Sequence, residues 1–239
     1  MMKKILILPF IFFTLTLNGQ TITNQIADPA SYLNDLKVEM QKEWPKNRTI
    51  NLVFHGHSVP AGYFKTPQVN TISAYPNQVL RKLKDIYPLS VVNVIVTAIG
   101  GENSVKGAER FERDVLIHKP DLLFIDYSLN DRGPGLEKAY AAWDQMIKKA
   151  KSLEIKIILL TPSPDQSVNY GDPENLLKKH TDQVHRLAAE NQVGLADSYK
   201  DFEFLYPDKE LLQKYMSQVN HPNEAGHELI AYEIMKWLK

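Results

Sequence analysis

Four short segments of the sequence hold the residue types that acyl transfer needs. Gly56-His57-Ser58-Val59-Pro60-Ala61-Gly62 sets a serine between glycines, and glycine lets a backbone bend sharply and a substrate come close. Ala98-Ile99-Gly100-Gly101-Glu102-Asn103-Ser104 and Ser128-Leu129-Asn130-Asp131 bring amides. A tetrahedral intermediate needs two or three hydrogen-bond donors aimed at its developing negative oxygen, and the backbone amides of Ser58 and Gly101 with the side-chain amide of Asn130 can supply them. Asn220-His221-Pro222-Asn223-Glu224-Ala225-Gly226-His227 adds a histidine just before a C-terminal amphipathic pattern. Pro222 and Asn223 suit a helix start, so His221 falls in the loop, where it can act as general base toward Ser58. His227 falls inside the helix and reads as structural. Each segment alone has a plainer use: a turn after a strand, the opening of a helix at Gly100-Gly101, a helix cap at Asn130-Asp131.

What unites them is their place in the chain. Nearly continuous apolar runs at Ile50–Phe54, Val91–Val96, Leu122–Tyr127 and Ile155–Thr161, with a weaker one at Val193–Ala196, read as strands covered on both faces. They alternate with helical patterns at Tyr75–Tyr87, Val105–His118, Leu136–Leu153, Leu176–Asn191 and Glu224–Leu238, the order expected of β-α units and a parallel sheet. In such sheets ligands bind outside the carboxyl ends of the strands. The first three chemical segments follow the first three runs.

The remaining sequence sets bounds. The chain has 239 residues, 44% hydrophobic and 23% charged, which suits one catalytic α/β domain. Its 28 basic residues balance 28 acidic ones, so no excess charge draws it to nucleic acid or an anionic membrane. Two lysines in Met1–Lys4, the apolar run Ile5–Leu17 interrupted by Pro9, and polar Asn18-Gly19-Gln20 have the order of a secretory signal peptide. The expectation is a signal over residues 1–19 cleaved after Gly19, a lead-in at 20–48 with an amphipathic helix over Ala30–Trp44, and the catalytic domain at 49–239. The protein is then secreted or periplasmic with no stable membrane anchor, the run being short of the roughly 20 apolar residues that span a bilayer. The absence of cysteine excludes a lipobox anchor, disulfides and thiolate metal ligands. His55 and His57 form a His-x-His pair but have no acid or cysteine nearby in sequence, so they do not read as a metal site, and His57 reads as packing beneath the serine loop.

The four segments, in this order and approximate spacing, resemble the SGNH (GDSL-like) hydrolase superfamily, named for Ser, Gly, Asn and His in four blocks. The resemblance covers Ile50 to Lys239. It implies a three-layer α/β/α sandwich around a five-stranded parallel sheet, flavodoxin-like in arrangement. It also implies Ser58 as nucleophile, Gly101 and Asn130 as oxyanion donors and His221 as base. The chain departs from the pattern at three places: His57 stands where aspartate usually precedes the serine, Ser128 where the third block begins with glycine, and Gln218 where an aspartate usually precedes the histidine by three. That aspartate fixes the imidazole tautomer and stabilises its positive charge; a glutamine oxygen serves the first task and only weakly the second. The expected site is therefore a Ser58/His221 dyad whose ring is oriented by Gln218, a backbone carbonyl or an acid such as Glu224. The implied reaction is two-step ester hydrolysis without cofactor or metal. Export and polar loops carrying Tyr63, Phe64 and Tyr170 point to an O-acetylated carbohydrate or polysaccharide, with Arg132 positioned to hold an acidic group or to form a salt bridge. An acyltransferase and an inactive glycan-binding protein on the same scaffold are the alternatives.

Overall fold

A computed structural model describes residues 24–239; the signal-peptide expectation lies outside them. In chain order the elements are α1 (Asn34–Met40), β1 (Thr49–Gly56), α2 (Ser58–Ala61), α3 (Tyr75–Ile86), β2 (Val91–Val96), α4 (Ser104–Glu109), α5 (Phe111–Asp114), β3 (Leu122–Asp126), α6 (Leu136–Ser152), β4 (Lys156–Leu160), α7 (Leu176–Asn191), β5 (Gly194–Ala196), α8 (Tyr199–Leu205), α9 (Lys209–Gln213), β6 (Met216–Gln218), β7 (His221–Pro222) and α10 (Glu224–Leu238). Five strands form one parallel sheet in the order β2-β1-β3-β4-β5, the expected flavodoxin-like arrangement.

The apolar runs are continuous because the central strands feed two cores. Successive side chains of a strand point to opposite faces. Leu52, Phe54, Leu122, Phe124, Ile158 and Leu160 pack on one face with α3 and α10, whereas Val53, Leu123, Ile125, Ile157 and Leu159 pack on the other with α6 and α7. Only β2, at the sheet edge, is partly exposed along its length. Among the described residues no helix is long and apolar enough to cross a membrane.

The structure corrects several expected bounds. The lead-in helix is only Asn34–Met40, anchored by Leu36 and Met40; the buried Leu33 just before it stands outside helical geometry (φ −108°, ψ 19°). The pattern at Val105–His118 is broken into α4, α5 and a 3-10 turn at Leu116–His118. Arg110 leaves helical geometry (φ −108°, ψ 4°) and turns its buried guanidinium to Glu102 (Nε to Oε1 2.8 Å). α8, α9 and the antiparallel β6/β7 hairpin were not expected. That hairpin carries His221.

One buried acid ties the loops after β2 and β3 together. Asp131 accepts the Ser104 backbone N–H at the start of α4 (2.7 Å) and the Trp143 indole N–H from α6 (2.7 Å). Burial raises its pKa and the donated hydrogen bonds oppose that rise. Asp131→Asn turns an amide –NH2 toward one of these two donors, and leaving a buried donor unpaired costs about 1–3 kcal/mol; the lowered urea midpoint measures it.

Three histidines are buried in neutral form. Burial lowers His55 and His227 to about 3 and His180 to about 4. Their folded pKa values lie below the unfolded 6.5, so the unfolded chain binds protons first as pH falls. Stability is expected to decline from pH 6.5 downward until each ring's own pKa is reached, by ~1.4 kcal/mol per pH unit for each histidine. Urea unfolding at pH 6.5, 5.5 and 4.5 checks this; a flat profile would mean that the rings ionise freely in the folded protein.

Candidate active site

β1 and β3 are neighbours in the sheet, and the chain leaves β1 toward β2 on one side and β3 toward β4 on the other. This is the switch point at which a crevice opens at the carboxyl ends of the strands. Their pairing ends at Gly56 opposite Asp126. A Cβ on Gly56 would stand 2.4 Å from the Asp126 carbonyl oxygen and 2.8 Å from Pro60 Cγ, so the glycine permits both the strand contact and the tight turn into α2. Ser58 opens that one-turn helix, and His57 caps it by accepting the Val59 backbone N–H at Nδ1 (3.3 Å).

Ser58 Oγ lies 2.8 Å from His221 Nε2, although the residues are 163 positions apart. His221 is brought there by the β6/β7 hairpin, in which it pairs directly with Gln218. Ser217 Oγ donates to the His221 carbonyl (3.0 Å), and Asn223 accepts the Gly226 N–H to cap α10 (3.1 Å). Both partners of the Ser58–His221 pair are largely shielded from solvent. The His221 pKa is lowered, chiefly by burial and then by its electrostatic interaction with the nearby His57 ring, while the Phe64 backbone opposes the shift.

The other two segments arrive at the same crevice. The loop after β2 follows the end of β1 through Thr97 N–H to the Phe54 carbonyl (2.9 Å) and Ile99 N–H to the Gly56 carbonyl (3.0 Å). Gly101 sits on it with φ +77° and open space where a Cβ would be. Asn130 Nδ2 donates to the Glu102 carbonyl (2.8 Å), which joins the Asn130 amide to the residue after Gly101 and orients it. Behind them Glu102 is held by Arg110 and by the Tyr127 hydroxyl (2.7 Å), and that hydroxyl also lies 3.2 Å from His55 Nε2. Ser58, Gly101, Asn130 and His221 thus come from four segments to one place, the arrangement an acyl transfer requires.

The remaining candidates have definite places. Gln218 lies against His221 Nδ1, and its amide is oriented by Thr66: the Thr66 backbone N–H can only donate, and it does so to Gln218 Oε1 (3.0 Å), which turns Gln218 Nε2 toward Nδ1 and toward Thr66 Oγ1 (3.3 Å). Glu224 is exposed at the start of α10 and points no acid at the ring. Tyr63 stands beside His221 (ring centroids 6.4 Å apart) and against Gly100. Phe64 stacks on His227 (4.9 Å) and Tyr170 is buried against Tyr199 (5.4 Å), so both are anchors of their loops. Arg132 pairs with Asp165 (2.6 Å) and donates to the Leu129 carbonyl (3.0 Å), the salt-bridge use. His55 and His57 take different partners: His55 binds Thr97 Oγ1 (3.0 Å) and the Gly107 carbonyl, and His57 faces Asp126. Asp126, Thr66 and the Phe64 backbone were not expected from the sequence. The signal for Asp126 was a lone acid in an apolar strand.

The fold is shared with solved esterases. An acetylxylan esterase, Axe2, from Geobacillus stearothermophilus superposes with a TM-score of 0.68 at 22% identity over 79% of this chain and 94% of its own. A two-domain esterase active on acetylated mannans, CEX, superposes with a TM-score of 0.72 at 20% identity over 90% of this chain; the chain spans 55% of that protein's length. These identities speak to fold. No curated protein matches the sequence. The model of the GDSL-like lipase/acylhydrolase family, however, matches residues 54–229, well over half of the chain and all four segments, and the protein accordingly belongs to that family of SGNH serine hydrolases.

Proposed function

We propose that the protein is an esterase that removes O-acetyl groups from a carbohydrate, with Ser58 as nucleophile and His221 as general base. The observation that carries this reading is the 2.8 Å approach of Ser58 Oγ to His221 Nε2 beside Gly101 and Asn130. His221 Nε2 takes the Ser58 proton as Oγ bonds the ester carbonyl carbon, and the carbonyl electron pair moves onto oxygen. The amides of Ser58, Gly101 and Asn130 hold that oxyanion. Its collapse expels the sugar alkoxide, which takes the proton back from His221, and a water activated by the same ring hydrolyses the acetyl-enzyme. For this step His221 carries its proton on Nδ1 and presents the Nε2 lone pair to Ser58, and with no carboxylate hydrogen-bonded to that ring among the described residues the pair works as a dyad.

A carbohydrate substrate is supported by the polar rim of Asn130, Arg132, Gln166 and Gln218 with Tyr63 among them, and by the acetylated xylan and mannan on which the similarly folded esterases act. Tyr63 is placed to meet a sugar ring at the edge of the site. Arg132 keeps part of its guanidinium exposed and can meet an acidic sugar with that edge. The N-terminal sequence would send the enzyme out of the cytoplasm, where such polymers are found.

Protein from Gln20 onward is expected to hydrolyse p-nitrophenyl acetate and to release acetate from acetylated xylan or mannan. Ser58→Ala is expected to retain its fold and lose both activities together with fluorophosphonate labelling, whereas Gln218→Ala keeps activity within roughly tenfold because the amide it removes brings no charge to the imidazolium. A Ser58→Ala protein that still turns over would overturn the assignment.

The pH dependence has a definite sign. The base must be neutral, and the His221 pKa is depressed by burial, so the acid limb of kcat/KM is expected to have its midpoint below pH 6.5. An acid limb centred above 6.5 would contradict His221 as the base in this environment.

A further inference from the structure

His57 and Asp126 form a second imidazole–carboxylate pair at Ser58, on the side away from His221. His57 is wholly buried, and its Nδ1 accepts the Val59 N–H while lying 3.5 Å from Ser58 Oγ. A ring that accepts at Nδ1 is neutral and carries its proton on Nε2. That Nε2 lies 3.3 Å from Asp126 Oδ1, close enough for an ion pair but outside hydrogen-bond geometry, and neither atom has a hydrogen-bond partner among the described residues. The second Asp126 oxygen receives the Tyr75 hydroxyl (3.0 Å), which burial and then the Asp126 charge hold protonated and therefore donating. The groups are ordered along one line: Tyr75 donates to the carboxylate, the Nε2 edge of His57 faces its other oxygen, and the Nδ1 edge faces Val59 N–H and Ser58.

We propose that Asp126, acting through His57, is the positioning acid of the active site and supplies the negative charge that Gln218 does not. The inference rests on the reading of Ser58 and His221 as the reacting pair. A triad aspartate does two things for its histidine: it fixes the tautomer and it stabilises the imidazolium formed during reaction. Among the described residues the group hydrogen-bonded at His221 Nδ1 is a neutral amide whose oxygen is given to Thr66, and a neutral group supplies no counter-charge for the second task. Asp126 sits one imidazole from Ser58, in a site shielded from water, where charge acts over longer range than in solvent. His57 is oriented so that its dipole hands that charge on, with its N–H toward Asp126 and its negative edge toward Ser58 and the ring that becomes positive. The acid has moved from the His221 flank to the Ser58 flank. The histidine before the serine is what makes the transfer work, since that position touches both the nucleophile and the end of β3.

A double-mutant comparison tests this. Kcat, KM and the fluorophosphonate labelling rate are measured with p-nitrophenyl acetate for the native protein, Asp126→Asn, Gln218→Asp and the double variant, with folding followed by urea unfolding. In the native background Asp126→Asn is expected to lower kcat and labelling on the order of 10- to 100-fold with little change in KM, as for a charge one ring removed from the reacting pair. In the Gln218→Asp background, where a carboxylate stands beside His221, the same substitution is expected to cost several-fold less. An equal loss in both backgrounds, or a folded Asp126→Asn protein with native kcat, overturns the proposal. If Asp126→Asn does not fold, His57→Asn takes its place: its side-chain oxygen keeps the cap on Val59 N–H while cutting the link to Asp126, and it must show the same dependence on residue 218. Loss of function from Ser58→Ala separates the two readings, because failure there removes the dyad itself, whereas failure of the double-mutant comparison removes only the role of Asp126.

Discussion

β1 and β3 end their pairing at Gly56 and Asp126, where a Cβ on the glycine would stand 2.4 Å from the facing carbonyl oxygen, and the candidate active site is arranged around that contact. Parallel pairing holds the two strand ends level. The residue after Gly56 must then lie beside the end of β3, which puts His57 on Asp126, and the next must turn upward into the crevice, which presents Ser58 to His221. A side chain at position 56 would push the strands apart and displace all four residues together. The loops that carry Gly101 and Asn130 are secured to the same frame, by backbone hydrogen bonds to Phe54 and Gly56 and by the two donors that Asp131 collects. The site's accuracy is therefore a property of the sheet, with each loop fastened to a strand end by one or two bonds.

How far the sequence revealed this depends on the kind of signal each residue carries. Buried strands are legible because both faces of the sheet are covered: Leu122–Asp126 has no position that meets water, and an unbroken apolar run is the consequence. Ser58, Gly101, Asn130 and His221 were legible because each follows a strand or precedes a helix with matching cap chemistry. Arg110 was not, since its inward turn toward Glu102 depends on a carboxylate eight residues earlier in a loop, and that turn splits a pattern whose periodicity read as a single helix. The β6/β7 hairpin was hidden for a different reason. Its strands are three and two residues long, too short for alternation to register, and it exists through side-chain bonds such as Ser217 to the His221 carbonyl. Asp126 left a trace, an acid closing an apolar strand, but its meaning required the strand register, which places it opposite Gly56.

Gln218 shows why a residue's identity and its role at a site are separate questions. Its oxygen is the atom able to accept from a protonated Nδ1, and it is the only Gln218 atom that can accept the Thr66 backbone N–H. One oxygen turned toward Thr66 cannot also lie on the imidazole. A carboxylate at that position would have a second oxygen and could satisfy both donors, which is a physical reason for an acid there in a triad. With glutamine the hairpin gains a link to the Thr66 loop, and the imidazole has only a neutral amide against its Nδ1 edge among the described residues. Its counter-charge must come from elsewhere. Asp126 is a buried carboxylate one side chain away from Ser58, by way of His57, the residue that also caps the helix that Ser58 opens. The two departures from the family pattern, at 57 and at 218, thus fit together as one rearrangement: a histidine that reaches an acid on β3 stands in for an acid beside the base.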